Sequence, residues 1–192
     1  MAIEIININK TYGSNTVLDH FNCKIETGSV TCFMGSSGKG KTTLLRIMLG
    51  LEQPDNGQIT GMSDKRKSVV FQEDRFCENL SAAANIRLAR SNHLKTDNII
   101  ESMSAVGLAP GCAKQTARSM SGGQRRRVAI LRALMAEYDI LFMDEPFKGL
   151  DDETKERVMI YTKKMVKGKT VVFVTHDKTE CEIMGGNIVY LK

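Results

Sequence analysis

No apolar run in this 192-residue chain approaches the ~20 residues a helix needs to cross a bilayer, which excludes a channel or permease for this chain alone. The opening residues MAIEIININK lack a basic start followed by an apolar stretch, so no secretory signal is expected. The five cysteines, Cys23, Cys32, Cys77, Cys112 and Cys181, are odd in number, widely spaced and never in a C-x-x-C pattern. That argues against a zinc site or a disulfide framework and for free thiols in a reducing compartment. There is no internal repeat and no low-complexity tract. Aromatic residues are 6% and are not interleaved with basic ones as a base-stacking platform requires, so no nucleic-acid partner is expected.

What is present is an ordinary globular composition, 42% hydrophobic and 26% charged, long enough for one domain with a sizeable core. Lys and Arg exceed Asp and Glu by 27 to 22, a net charge of +5 that permits an anionic partner such as a nucleotide or lipid surface without selecting one. Residues 2–9 partly alternate apolar and polar, and a second strand is expected from Val17 to Glu26. VTCFM (30–34), SVVFQ (68–72), ILFM (140–143), VVFV (171–174) and IVYL (188–191) read as buried strands. Helical patterns follow residue 41, run from Ser121 to about Ala136, and run from Asp152 to about Val166. Alternating strands and helices predict an α/β fold with a mostly parallel sheet. Pro54, Asp55, Asn56 and Gly57 read as a turn. Residues 76–120 hold no convincing strand; Ser81 is expected to cap a helix reaching Arg90, and Asp97 to open another ending at Gly107. That segment reads as a helical lobe inserted into a core made of 1–75 and 121–192.

Three patterns carry chemistry. Gly35-Ser36-Ser37-Gly38-Lys39-Gly40-Lys41-Thr42 matches G-x-x-x-x-G-K-[ST], between an apolar strand and a helix. Its glycines allow a sharp turn that brings backbone N–H groups to phosphate oxygens, and the helix adds its positive end. Lys41 then bridges β- and γ-phosphates and the Thr42 hydroxyl holds Mg²⁺. In ILFMDE (140–145), a strand delivers Asp144 and Glu145 at its C-terminal end, one for the metal and one for a water. Ser121-Gly122-Gly123-Gln124 reads as a capping box, yet two glycines in a first turn also let a phosphate approach the backbone. The consecutive Arg125, Arg126 and Arg127 fan out around a helix and read as solvated or domain-docking residues.

Together these motifs resemble the nucleotide-binding subunit of an ATP-binding cassette (ABC) transporter, and the resemblance covers essentially the whole chain. GSSGKGKT is similar to the Walker A loop, MSGGQ (120–124) to the family signature and ILFMDE to Walker B. Gln72 resembles the Q-loop glutamine, Gly149-Leu150-Asp151 the D-loop, His176 the switch histidine and Tyr12 the aromatic that stacks on adenine. The resemblance implies a P-loop NTPase core with an N-terminal antiparallel β subdomain and a helical subdomain. It implies ATP and Mg²⁺ as ligands. ATP is expected on Tyr12, on 35–42 and on Thr43. Mg²⁺ is expected on Thr42, Gln72 and Asp144. Glu145, His176 and Gln72 are the expected catalytic residues. Two cassettes, identical or paired, are expected to close head to tail, so that Ser121, Gly122, Gly123, Gln124 and Asp151 reach the other subunit's ATP. Integral membrane permease subunits, a solute-binding protein and a place on the inner face of the cell membrane follow from the same resemblance.

FQEDRF (71–76) is similar to the Q-loop region of importers for nitrate, sulfonate, taurine and related solutes, with Phe71, Phe76 and Cys77 near the docking groove. The alternative is a soluble ABC ATPase of a cofactor-assembly system. Departures from the family pattern are Ser36 for a frequent Pro, Met120 for Leu, and Lys148-Gly149 for Ser-Ala. None removes an expected ligand. The chain ends soon after IVYL, so the regulatory domain of some sugar importers is not expected.

Overall fold

The computed structural model describes residues 2–36, 38–89 and 94–191. Five parallel strands form the central sheet in the order β5 (Lys67–Val70), β6 (Ile140–Asp144), β7 (Thr170–Thr175), β3 (Val30–Met34), β8 (Asn187–Tyr190). Every residue of β6 and β7 is buried, which is why they read as unbroken apolar runs. Their side chains alternate between two cores. Leu141, Met143, Val171 and Phe173 face one, packed with helices α2 (Ala82–Arg87), α3 (Thr96–Ala105), α4 (Gly122–Leu134), α5 (Asp152–Met165) and α6 (Lys178–Met184). Ile140, Phe142, Val172 and Val174 face the other, packed with α1 (Lys41–Leu49) and with an antiparallel sheet. That sheet has the order β2 (Asn15–Ile25), β1 (Ile3–Tyr12), β4 (Asn56–Thr60). Two 3-10 turns, Pro110–Lys114 and Ala117–Ser119, join α3 to α4.

Several expectations are corrected. Asn56 and Gly57 belong to strand β4, not to a turn; only Ile59 of NGQIT is even half-buried, so the edge strand carries no apolar pattern. Helix α6 had no expectation, being only seven residues with mixed polarity. Ser81 caps α2 by accepting from the Ala84 N–H, but α2 ends at Arg87, and Arg90 lies outside the described residues. Lys95, not Asp97, precedes the first turn of α3. Within 76–120 a lone bridge pairs Ser81 with Thr116. Cys32 of β3 and Cys181 of α6 are joined in a disulfide, whereas Cys23, Cys77 and Cys112 are free. The two are 149 residues apart in sequence, and packing of α6 under the sheet sets their Cα atoms 6.1 Å apart, a proximity no local spacing announces. No helix among the described residues is long and apolar enough to cross a membrane.

Candidate functional site

Parallel strands point their C-terminal ends the same way, so β3, β5, β6 and β7 deliver their following residues to one edge. After β3 comes the glycine-rich loop, after β5 Gln72, after β6 Glu145 and after β7 His176. These converge on a cleft of about 460 Å³ lined by Ser36, Gly38, Gly40, Lys41, Thr42, Thr43, Gln72, Glu145, Lys148 and His176. Gly38 and Gly40 have φ of +82° and +75°. At Gly40 a Cβ would lie 2.5 Å from the Val17 carbonyl oxygen, so only glycine fits where the loop turns into α1. Ser37 lies outside the described residues, as does His93.

The Lys41 ammonium curls back and donates to the carbonyls of Gly35 (2.6 Å) and Ser36 (2.9 Å). The Thr42 hydroxyl donates to Asp144 Oδ1 at 3.3 Å. Asp144 is 3% exposed, and this burial pushes its carboxyl above the usual carboxylate range. Glu145 has φ +47°, the left-handed region that glutamate rarely adopts, and its carboxylate lies 2.9 Å from His176 Nδ1. A carboxylate–imidazole pair therefore lines the same cleft as the Lys41 ammonium and the Thr42 hydroxyl, which is bonded to Asp144.

Tyr12 lies to one side. It is 47% exposed, and its hydroxyl donates to Glu52. Partial burial, then the Glu52 carboxylate, raises the phenol above its ordinary pKa. The Ser121–Gln124 segment forms the expected capping box at the head of α4: Ser121 N–H donates to Gln124 Oε1 (2.9 Å) and Gln124 N–H to Ser121 Oγ (3.3 Å). Asp151 caps α5 by accepting from the Thr154 N–H at 3.0 Å. Neither segment lines the cleft of its own chain, and the two adjoin: a Cβ on Gly123 would touch Leu150.

Sequence reasoning overlooked three cations. Lys148 lines the cleft; its substitution for the more frequent serine was the available signal. Arg126 was read as solvated or docking, but it is 5% exposed and donates to the carbonyls of Phe71, Gln72, Asp144, Glu145 and Pro146. Its neighbours are engaged too: Arg125 with Glu78, and Arg127 with the Gly107 carbonyl. Lys155 of α5 pairs with Asp177 (2.6 Å), the N-cap of α6, and with Glu180 (2.7 Å) in its first turn. Burial lowers the Lys155 pKa, but the two carboxylates outweigh it and the net direction is up. No local pattern marks Arg126 or Lys155, because their partners are remote in sequence.

A glycine-rich loop, a strand-end carboxylate pair and a polar cleft at the ends of parallel strands define a P-loop nucleotide-binding α/β protein. The ABC transporter family profile matches residues 18–148, and the chain belongs to that family. It is similar to the aliphatic sulfonates import ATP-binding protein SsuB 1 of Rhodococcus jostii (strain RHA1), at 35% identity over 100% of this chain and 79% of the relative. The sulfate/thiosulfate import ATP-binding protein CysA of Nitrosomonas europaea is 32% identical over 100% of this chain and 58% of its own length. Among solved structures, a dimeric bacterial ABC transporter cassette superposes with a TM-score of 0.85 at 31% identity, covering 99% of this chain and 94% of that one. A dimeric ATP-binding cassette in a post-hydrolysis state, bound to ADP and Pi, gives 0.84 at 30% identity over the same shares.

Proposed function

We propose that this chain binds and hydrolyses ATP to drive import of a small solute through a separate membrane permease. The observation that carries the chemistry is the convergence of Lys41, the Thr42–Asp144 pair and the Glu145–His176 pair on one cleft. ATP enters with its phosphates on 35–42 and Thr43 and its base against Tyr12. Lys41 exchanges two loop carbonyls for phosphate oxygens, which an ammonium prefers as charged acceptors. Thr42, Asp144 and Gln72 are hard oxygen donors suited to Mg²⁺, which is ordinarily held by one or two carboxylates together with substrate phosphates. No cluster of three or more metal-ligating His, Cys, Asp or Glu side chains occurs among the described residues, in keeping with a metal that arrives with its nucleotide. The ion, when bound, neutralises charge on the phosphates. Glu145 orients the attacking water, and His176 holds that carboxylate in place while presenting its ring to the γ-phosphate. The water oxygen bonds to the γ-phosphorus, the bridging oxygen leaves with ADP, and the water's proton passes to Glu145 or the phosphate product.

The same reading takes 76–120 as a helical lobe and 1–75 with 121–192 as the core. It pairs two cassettes so that Ser121, Gly122, Gly123, Gln124 and Asp151 close the partner's site. It sets the chain on the inner membrane face against permease subunits, with a solute-binding protein in the full system. The relatives' names favour import over a soluble assembly role, and among solutes they favour sulfur oxyanions.

Two measurements test it. Glu145→Gln should lower the rate of ATP hydrolysis by about a hundredfold or more while leaving an ATP-stabilised dimer; a variant that stays monomeric with Mg-ATP overturns the sandwich. In washed membranes of the native host, crosslinking should capture the chain on an integral membrane protein. A chain recovered wholly free of membranes transfers the assignment to a soluble ABC ATPase.

A further inference from the structure

The guanidinium of Arg126 lies between two segments that reach the cleft from different strands. Its Nη1 donates to the carbonyls of Phe71 (2.6 Å) and Gln72 (3.3 Å) and to Asp74 Oδ1 (3.1 Å). Its Nη2 donates to the carbonyls of Asp144 (3.1 Å) and Glu145 (2.5 Å), and its Nε to that of Pro146 (2.7 Å). All five N–H donors of the fork face this pocket, and the side chain is 6% exposed. Five of the six acceptors are backbone carbonyls. The group therefore does far more than balance the charge of Asp74.

Two of the carbonyls belong to Gln72 and Glu145 themselves. Glu145 sits at φ +47°, a conformation that persists in a glutamate only where its surroundings over-determine it. The guanidinium grips the carbonyls of that residue and of both its neighbours. Arg126 also lies five residues past Ser121 on α4. The helix whose head is proposed to meet the partner's nucleotide thus grips, from its second turn, the two segments that present Gln72 and Glu145 to its own.

We propose that Arg126 is a positioning residue for ATP hydrolysis: its guanidinium fixes the backbones of Glu145 and Gln72 relative to each other. The inference rests on the proposed function. A lysine cannot substitute, since an ammonium offers three donors at one point instead of a planar fork.

The test is steady-state ATP hydrolysis by the purified full chain, with kcat, KM and the thermal unfolding midpoint measured for wild type, Arg126→Gln, Arg126→Lys and Asp74→Asn. Arg126→Gln should lose about tenfold or more in kcat with KM for ATP within about twofold, because the ground-state nucleotide contacts remain. Arg126→Lys should stay close to Arg126→Gln. Asp74→Asn leaves the five carbonyl bonds in place and should keep kcat within about threefold of wild type. Wild-type kcat in Arg126→Gln overturns the inference. Full recovery in Arg126→Lys also overturns it, by assigning the residue to charge balance with Asp74. If Arg126→Gln does not fold, the kcat-against-KM split of Arg126→Lys decides; failure of both to fold assigns Arg126 to folding and overturns the inference. A wild-type chain that binds ATP and does not hydrolyse it overturns the proposed function instead, and that result is visible before any variant is compared.

Discussion

Lys41 is 8% exposed, and its charge rests on two loop carbonyls, Gly35 and Ser36. The ammonium thus lines the cleft, and phosphate oxygens are stronger acceptors for it than neutral carbonyls. Lys41→Ala should therefore weaken ATP binding by about 10- to 100-fold, the worth of one hydrogen bond to a charged group. Equilibrium titration with a fluorescent ATP analogue reads this directly, and retained tight binding removes the P-loop assignment. The neighbouring carboxylates divide by environment. Asp144 is buried beside Thr42, whereas Glu145, at a positive φ, pairs with His176 in the cleft lining. Both were legible from ILFMDE, because a strand that ends in two carboxylates can deliver them only at the sheet's C-terminal edge. The φ of Glu145 and the guanidinium that grips its carbonyl were not, since neither leaves a local mark.

Elements repeat that division. The runs that became β3, β6 and β7 were legible because strands covered on both faces need continuous apolar residues. Strand β4 and helix α6 were not, one being an edge strand with little burial and the other two turns long. Yet α6 anchors the segment that carries His176. Lys155 of α5 bridges Asp177 and Glu180, Thr175 Oγ1 donates to Glu180 at 2.6 Å, and Asp177 caps the helix through the Thr179 N–H. Lys155→Met should lower unfolding free energy by about 2–3 kcal/mol, since it leaves the buried Glu180 short of its countercharge. The pH dependence has a definite sign. The Lys155 bond holds the Asp177 carboxyl below its ordinary value of 3.8, so its contribution is present above that value and is lost as pH falls through the lower folded value. Denaturation of wild type and Lys155→Met at descending pH should show the gap between them narrowing below about pH 4.

At the scale of the whole molecule, the proposed pairing of two cassettes needs two surfaces that do not meet within one chain. The head of α4 carries its capping box and Asp151 caps α5, yet Ser121–Gln124 and Asp151 stand outside the lining of the glycine-rich-loop cleft. A capping box leaves the N–H groups of Gly122 and Gly123 without helical acceptors, and a Cβ on Gly122 would meet nothing within 4 Å. An anion from outside can thus approach that helix end, whose polarity favours it. If the two halves are completed only by a second copy, defects in different halves must complement. A chain with Lys41→Ala has a dead cleft and an intact α4 head; a chain with Gly122→Asp has the reverse, with a carboxylate placed where phosphate would approach. Each alone should hydrolyse ATP at no more than about a hundredth of the wild-type rate, since each homodimer has two broken sites. Mixed at equal amounts, half of random dimers carry one site made from two sound halves and one made from two defective halves. Hydrolysis should then rise well above the sum of the separate chains, with a steep dependence on total concentration. A mixture that equals that sum means that Ser121–Gln124 does not act on a partner's nucleotide, and the head-to-tail arrangement falls while the cleft chemistry stands.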